Sequence, residues 1–295
     1  MANIPFDIEK KLKAVLRKIE EVLAFDVLED NFNDSTSLKT LCNVSGMSER
    51  SLRDWFKTYT GINISHYCRS RRAEYAARIL RLYPSTSKSE VARIIGLNSS
   101  TGLYPFLRKI GINKIDSLKN HINKDIRQVL KFRIEYLPES VLFYTFDEIY
   151  FSQCSKIEFE ENHWNKIESF VSTKFPNAIK NGDVGYAIDR YIVNKQDEGI
   201  FIAGILYKNV PTNMLPKNFI GDIGWKLLHR HKYAVFSYKG DYNGLSDYYL
   251  SAIYTLQIEK TVCIEKSFLI MEKYLNSPLN THAEDLITEI WIPLI

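Results

Sequence analysis

The sequence has little cysteine: Cys42, Cys68, Cys154 and Cys263 are the four in 295 residues. They stand far apart and match no metal-ligand spacing. This excludes a disulfide framework and a zinc site, and predicts reduced, mostly buried thiols in a cytoplasmic protein. No run of about 18 apolar residues occurs, so no membrane-spanning helix is expected. The opening MANIPFDIEKKLK has neither a continuous apolar core nor a small-residue cleavage site, so it does not read as a secretory leader. G-x-S-x-G, P-loop and G-x-G-x-x-G runs are missing. Cys154 and His163 lack an orienting third group that would make them a nucleophile pair. His229 and His231 have no third ligand type beside them and read, with Arg230 and Lys232, as a solvated basic edge. No metal and no cofactor are expected.

What is present is a folded chain with room for two domains, 45% hydrophobic and 25% charged. Its net charge of +4 hides a split. Residues 1–133 hold 24 Lys and Arg against 14 Asp and Glu, whereas residues 134–295 hold 15 against 21. Within 37–133 the balance is 19 to 6. A basic first half and an acidic second half suit one DNA-facing domain and one that stays off DNA.

The basic excess coincides with a pattern. After an amphipathic helix over 7–25 (Ile8, Leu12, Val15, Leu16, Ile19, Val22, Leu23) and an acidic loop over 26–36, Ser37–Leu80 reads as helix, turn, helix, long helix. Leu38, Leu41 and Cys42 are apolar at helical spacing, and Gly46 suits a turn that needs positive φ. Ser48 suits an N-cap. Leu52, Trp55 and Phe56 make an inward stripe, with Arg50, Arg53 and Lys57 opposite. A long helix over 65–82 stops at Pro84. Residues 89–110 repeat the theme: Val91, Ala92, Ile94 and Ile95, a turn at Gly96, a cap at Asn98 or Ser99, then Leu103, Phe106, Leu107 and Ile110. Pro105 is expected inside that last helix, at a cost of about 3 kcal/mol in a regular interior, and Gly102 weakens it further.

Ser37–Ile112 resembles the AraC/XylS regulators, which carry two helix-turn-helix units joined by a long helix. The resemblance rests on Leu41, Cys42, Ser48, Leu52, Phe56, Gly61, Tyr67, Arg72, Ala76 and Leu80, then Glu90, Val91, Ala92, Gly96, Leu97, Leu103, Leu107 and Gly111. The second unit departs from the pattern at Lys88, Gly102 and Pro105, and its last interval is one residue short. The resemblance places base contacts of the first unit on Arg50, Arg53 and Asp54. Arginine can pair bidentately with guanine. Asp54 either accepts from a cytosine amino group or forms a salt bridge near Arg50. Lys57 and Arg69 read as phosphate contacts. In the second unit Ser100, Thr101 and Tyr104 take the groove-facing places, with Arg108 and Lys109 towards phosphate. Arg72 is assigned a packing role.

Residues 114–131 read as a polar linker helix. From residue 132 onwards the pattern is strand-helix-strand-strand, written twice about 85 residues apart, which predicts two sheets or one curved sheet with a cleft. The strands expected are 132–146 (broken at Pro138), 184–191, 200–206, 232–238, 267–275 and 286–294, with helices over 161–173 and 244–256. This half resembles the GyrI-like effector-binding domain through IGWKLLHRHKYAVFSYKGDYNGL, IMEKYLN and ITEIWIPLI. The resemblance implies that Glu272 and Tyr274, two apart on one strand face, meet a cationic or polar ligand, with Tyr186, Trp225 and Tyr238 as aromatic walls.

The expected fold is therefore an all-α double helix-turn-helix domain (1–113), a linker helix (114–131) and an α+β domain of duplicated βαββ units (132–295). The expected function is that of a cytoplasmic, ligand-responsive transcription regulator. Its partners would be double-stranded DNA, a small amphipathic or cationic effector, and RNA polymerase, with monomer and dimer both open. Two other readings stand beside it: an architectural DNA binder without a sensor, and a small-molecule hydrolase using Glu272 and Tyr274.

Overall fold

A computed structural model describes residues 4–25, 36–119, 128–150, 161–189, 198–215, 222–259, 261–266 and 268–295. The described residues up to 119 belong to one compact unit and those from 128 onwards to a second.

The first unit is helical. Helix α1 (Phe6–Phe25) buries Leu12, Val15, Ile19, Val22 and Leu23 of the expected stripe and leaves Ile8 and Leu16 half-buried. The acidic loop expected at 26–36 lies, except for Thr36, outside the described residues. Helix α2 (Leu38–Ser45) ends at Gly46, whose φ of +63° is a turn conformation that glycine adopts without a Cβ penalty. Helix α3 (Glu49–Thr60) starts at Ser48, whose hydroxyl accepts the Ser51 N–H at 3.3 Å. Leu52 and Phe56 are buried; Trp55 is only half-buried. Helix α4 (Ile64–Leu82) carries Ala73, Ala76 and Ala77 at full burial, so its neighbours can approach closely.

The second helix-turn-helix pairs α5 (Lys88–Ile94), capped by Ser87 rather than starting at 89, with a split recognition element. Ser100–Gly102 is one 3-10 turn, and α6 (Leu103–Arg108) follows. Pro105 is thus the third residue of α6. The first turn of a helix has no intrahelical acceptor for its N–H groups, so a proline there loses nothing. The interior cost expected from the sequence does not arise, because the helix starts later and is shorter. Ser99 precedes the 3-10 turn without making a side-chain cap.

Of the expected linker helix, α7 (Ile115–Lys119) is helical and 120–127 lie outside the described residues. Residues 128–131 are not helical: the Leu130 N–H donates to Thr255 Oγ1 at 3.0 Å, which ties that stretch to a helix of the second unit. The thiols are also less buried than expected, with Cys42 and Cys68 half-buried and Cys263 exposed. Cys154 lies outside the described residues.

The second unit is one sheet with helices on one face. Its strands are β1 (Arg133–Leu137), β2 (Ser140–Tyr150), β3 (Ile179–Asp189), β4 (Glu198–Lys208), β5 (Gly224–Leu228), β6 (His231–Lys239), β7 (Met271–Tyr274) and β8 (Ile287–Leu294). Their spatial order is β1-β6-β8-β7-β3-β4-β2-β5, and every pairing is antiparallel. Helix α8 (Lys166–Lys174), preceded by a π-helical turn over Glu161–Asn165, and helix α9 (Leu245–Ile258) complete it. β5 was not expected from the sequence, and the strand expected over 267–275 is regular only at Met271–Tyr274.

This sheet must curl. Only Pro138 and Glu139 join β1 to β2, and only His229 and Arg230 join β5 to β6. Each link spans six strand positions in the sheet order, on the order of 29 Å in a flat sheet at 4.8 Å per strand. Two linking residues reach only about 10 Å. The two edges therefore come together. His229 Nδ1 lies 3.2 Å from Glu139 Oε2, and Arg230 sits 4.7 Å from the Tyr136 ring centroid.

The first unit rests on a buried charge cluster. Arg71, 2% exposed, donates to both carboxylate oxygens of Glu20 at 2.8 and 3.0 Å and to Glu74, while the Tyr67 hydroxyl donates to Glu20 at 3.0 Å. Arg71→Ala strands two carboxylates inside the unit. It should cost about 3–5 kcal/mol of stability in urea unfolding, against no more than about 0.5 kcal/mol for the exposed Arg69→Ala.

Candidate functional site

The DNA-facing candidates come first. On α3, Arg50 is 95% exposed at its side chain, Asp54 75% and Arg53 56%. Lys57 lies on the same exposed face, and Arg69 is exposed on α4. Arg53 Nη2 meets Glu49 Oε1 at 2.5 Å, and Arg50 Nε lies 4.0 Å from Asp54 Oδ2, so Asp54 stands at the limit of the salt bridge foreseen as one of its roles. The Gly46 turn and the Ser48 cap hold this face outward. The second unit presents Thr101, Tyr104, Arg108 and Lys109 exposed and Ser100 half-buried. Its polar groups are partly engaged: Tyr104 Oη donates to the Asn113 carbonyl at 2.6 Å, the Arg108 guanidinium lies 5.8 Å from the Tyr104 ring centroid, and Thr101 Oγ1 bonds Ser99 Oγ at 2.7 Å.

Arg72 has the packing role assigned to it. From α4 its Nε donates to the Ile95 carbonyl at 3.0 Å and its Nη2 to the Gly96 carbonyl at 3.0 Å, and it lies 5.7 Å from the Phe106 ring centroid. Burial lowers its pKa. Gly96, at φ +68°, passes so close that a Cβ there would lie 3.1 Å from the guanidinium. The turn of the second unit is therefore pinned to the joining helix.

In the second unit of the chain, strand alternation sorts the candidates. Glu272 pairs with Gly185 and Ile290, and Tyr274 with Asp183 and Thr288, so these residues share the face that α8 and α9 cover. Glu272 is 5% exposed. Its Oε1 accepts from Tyr249 Oη of α9 at 2.7 Å and its Oε2 from Tyr274 Oη at 2.6 Å. Burial raises the Glu272 pKa against the lowering effect of the two phenols, and burial beside the carboxylate lifts Tyr274 well above the usual phenol range. The Tyr274 ring has Trp164 at 5.8 Å and Tyr242 at 5.9 Å, both edge-on, and Trp164 in turn meets Phe201 at 6.1 Å. Gly185 makes this possible: a Cβ on it would overlap the Tyr274 hydroxyl and stand 2.6 Å from Phe201 Cζ.

Two expected walls are elsewhere. Tyr186 is one residue from Gly185 and so points to the opposite face, where it is buried and feels Tyr233. Trp225, paired with Phe143 at the far end of the sheet, packs in the cluster of Phe143, Phe175, Ile167 and Val171 under α8. Tyr238 is on the Glu272 face, in line with Thr288 and Tyr274, but its hydroxyl turns to the Asp241 carbonyl at 2.8 Å. The aromatic surround is instead Trp164, Phe201, Tyr242 and Tyr249.

Trp164 is held by its own neighbourhood. His163, 7% exposed, has Nδ1 2.8 Å from Thr145 Oγ1 and Nε2 3.4 Å from Asp147 Oδ2, and Trp164 Nε1 donates to the Gly204 carbonyl at 3.1 Å. The π-helical turn places both side chains against the sheet; such turns frequently mark functional sites. At the other histidines, His229 pairs with Glu139, and His231 packs on Tyr233 and Phe268. Among the described residues no three His, Cys, Asp or Glu are grouped to hold a metal, and no helix is long and apolar enough to cross a membrane.

A family model described as a helix-turn-helix domain matches residues 41–110, and one described as a GyrI-like small molecule binding domain matches residues 148–295. No curated protein matches the chain. Among solved structures, EcmrR in its DNA complex is 14% identical at a TM-score of 0.41, covering 87% of this chain and 98% of that one. SAV2435 bound to tetraphenylphosphonium is 17% identical at a TM-score of 0.34, covering 56% and 94%. A hydrolase from Listeria innocua is 10% identical at a TM-score of 0.40, covering 56% and 92%. At these scores the likeness does not reach individual residues. The GyrI-like model spans half of the sequence, and the chain belongs to that family of small-molecule-binding domains, with an AraC-type helix-turn-helix domain ahead of it.

Proposed function

We propose that the chain is a cytoplasmic transcription regulator that binds specific duplex DNA through α3 and senses an amphipathic cation at Glu272. The observation that carries the sensor is a carboxylate almost removed from water, held by two phenols and ringed by aromatic groups. Burial makes its charge costly, and a cation is what offsets that cost; the faces of Trp164, Tyr242 and Phe201 suit the same ligand. Tyr249 and Tyr274 orient the carboxylate. Occupancy alters DNA binding or contact with RNA polymerase.

On DNA, Arg50 and Arg53 read bases, and Asp54 steadies Arg50. Lys57, Arg69, Arg108 and Lys109 contact phosphates, while Ser100, Thr101 and Tyr104 face the groove of the second half-site. The first unit carries most of the specificity, because its helix is longer and its arginines are exposed. The site binds rather than turns over its ligand; release of a converted ligand, lost in Glu272→Gln, would overturn that point.

Two measurements test the proposal. Arg53→Ala should cost about 1–3 kcal/mol on the footprinted operator and relax preference at one base pair, while Lys57→Ala weakens all DNA alike and lowers the salt slope by about 1. Equal loss on operator and random DNA for Arg53→Ala would reduce that residue to a phosphate contact.

Cation affinity, followed by calorimetry with tetraphenylphosphonium, should rise as pH climbs towards the raised pKa of free Glu272 and level off above it. Within that window each binding event releases a proton. The sign for stability is opposite. Because the folded pKa is raised, the contribution of Glu272 is present below 4.5 and is lost as pH rises through the folded value. Glu272→Gln should flatten both profiles. A cation affinity independent of pH in the wild type would remove Glu272 from the site.

A further inference from the structure

The Glu272 face holds a second polar group that the proposed sensor has not used. Thr288 of β8 lies in one cross-strand row with Tyr274 on one side and Tyr238 on the other. It is 1% exposed, and its Oγ1 has no hydrogen-bond partner among the described residues. The tyrosines around it donate elsewhere: Tyr274 to Glu272, Tyr238 to the Asp241 carbonyl and Tyr248 to the Ser237 carbonyl. Tyr242 and Tyr248 cover the row from the helical side, with ring centroids 5.9 Å from Tyr274 and 5.0 Å from Tyr238.

A buried hydroxyl without a partner is a standing cost, and nothing in packing requires it. Valine has the same shape, and the rest of this row is aromatic. Buried polar groups in folded proteins are otherwise nearly always bonded. Thr288 is also the diagonal neighbour of Glu272, about 7–8 Å away across the strand pair. The two groups thus stand on one face of one strand pair.

We infer that Thr288 is a ligand-recognition residue: its hydroxyl bonds a polar group that the effector carries beside its positive charge. This rests on the sensor reading and narrows it. The effector class becomes amphipathic cations bearing a hydrogen-bonding substituent, such as a ring amine, amide or hydroxyl, rather than hydrocarbon cations alone. A threonine hydroxyl both donates and accepts, so either kind of substituent satisfies it.

The test uses the full chain, free of DNA, and a matched pair of cations. Ethidium carries two ring amines; 5-ethyl-6-phenylphenanthridinium is the same skeleton without them. Calorimetry should show the wild type preferring ethidium. Thr288→Val should erase that preference, weakening ethidium about three- to tenfold and leaving the amine-free cation unchanged; Thr288→Ser should retain it. Without ligand, Thr288→Val should melt about 2–4 °C higher, since it removes an unpaired buried hydroxyl. A lower melting point would mean that the hydroxyl is already bonded in the free protein, and would overturn the inference. So would a wild type that binds both cations equally, or a Thr288→Val variant that keeps the preference; in those cases the cation sensor stands and only Thr288 falls. Binding of neither cation would remove the sensor reading and this inference with it.

Discussion

The second unit depends on two short links. Pro138–Glu139 and His229–Arg230 each join strands that lie six positions apart in the sheet, and so oblige eight strands to curl until their edges meet. Curling gives the sheet two unlike faces. The inner face is filled by Leu142, Tyr144, Tyr186, Tyr233 and Trp291, all buried. Both helices must then go to the outer face, leaving the central pair β3 and β7 between them. Glu272 sits on that pair, opposite Gly185. The carboxylate is thus placed at the seam of two repeated halves, where Tyr249 of one helix bonds it and Trp164 beside the other packs on Tyr274.

Small residues decide what happens at the seam. A side chain at position 185 would occupy the space that the Tyr274 ring crosses to return its hydroxyl to Glu272. Without that return the carboxylate would keep only the Tyr249 bond, and burial would act on it with less opposition. A glycine at φ values any residue can adopt is required here for space alone, unlike Gly46 and Gly96, which are required for their positive φ.

The sequence carried the helical half with little loss, because helix pattern and caps are local. Ser48, Gly46, Leu52 and Phe56 act within a few residues of where they stand. It also carried the repeated βαββ order and the pairing of Glu272 with Tyr274, since alternation on one strand is local too. The misses are non-local. Tyr186 is adjacent in sequence to Gly185 but faces the other side, and its parity relative to Glu272 is set by a register that only the β3–β7 pairing defines. Trp225 was assigned by aromatic character, while β5 and its place at the sheet edge depend on the curl. Trp164 entered the site through a π-helical turn that a 3.6-residue period does not foresee. Pro105 looked damaging only while it was assumed to lie in the helix interior and not in its first turn.

That last point bears on how the two helix-turn-helix units differ. α3 is twelve residues long and capped, and its arginines reach into solvent with acidic partners one turn away. α6 is six residues long and enters through a 3-10 turn, and its exposed Tyr104 is tied to the Asn113 carbonyl. The second unit has less freedom to adapt to bases, yet it is held more firmly: Arg72 bonds two successive carbonyls of its turn from the joining helix. A short, pinned element suits contact with the phosphate backbone, which fixes position, and a long, free-ended one suits base edges, which fix sequence. The asymmetry that the sequence shows as faults in a repeat is therefore a difference of build: a long, capped α3 with exposed arginines, and a short α6 behind a turn pinned to the joining helix.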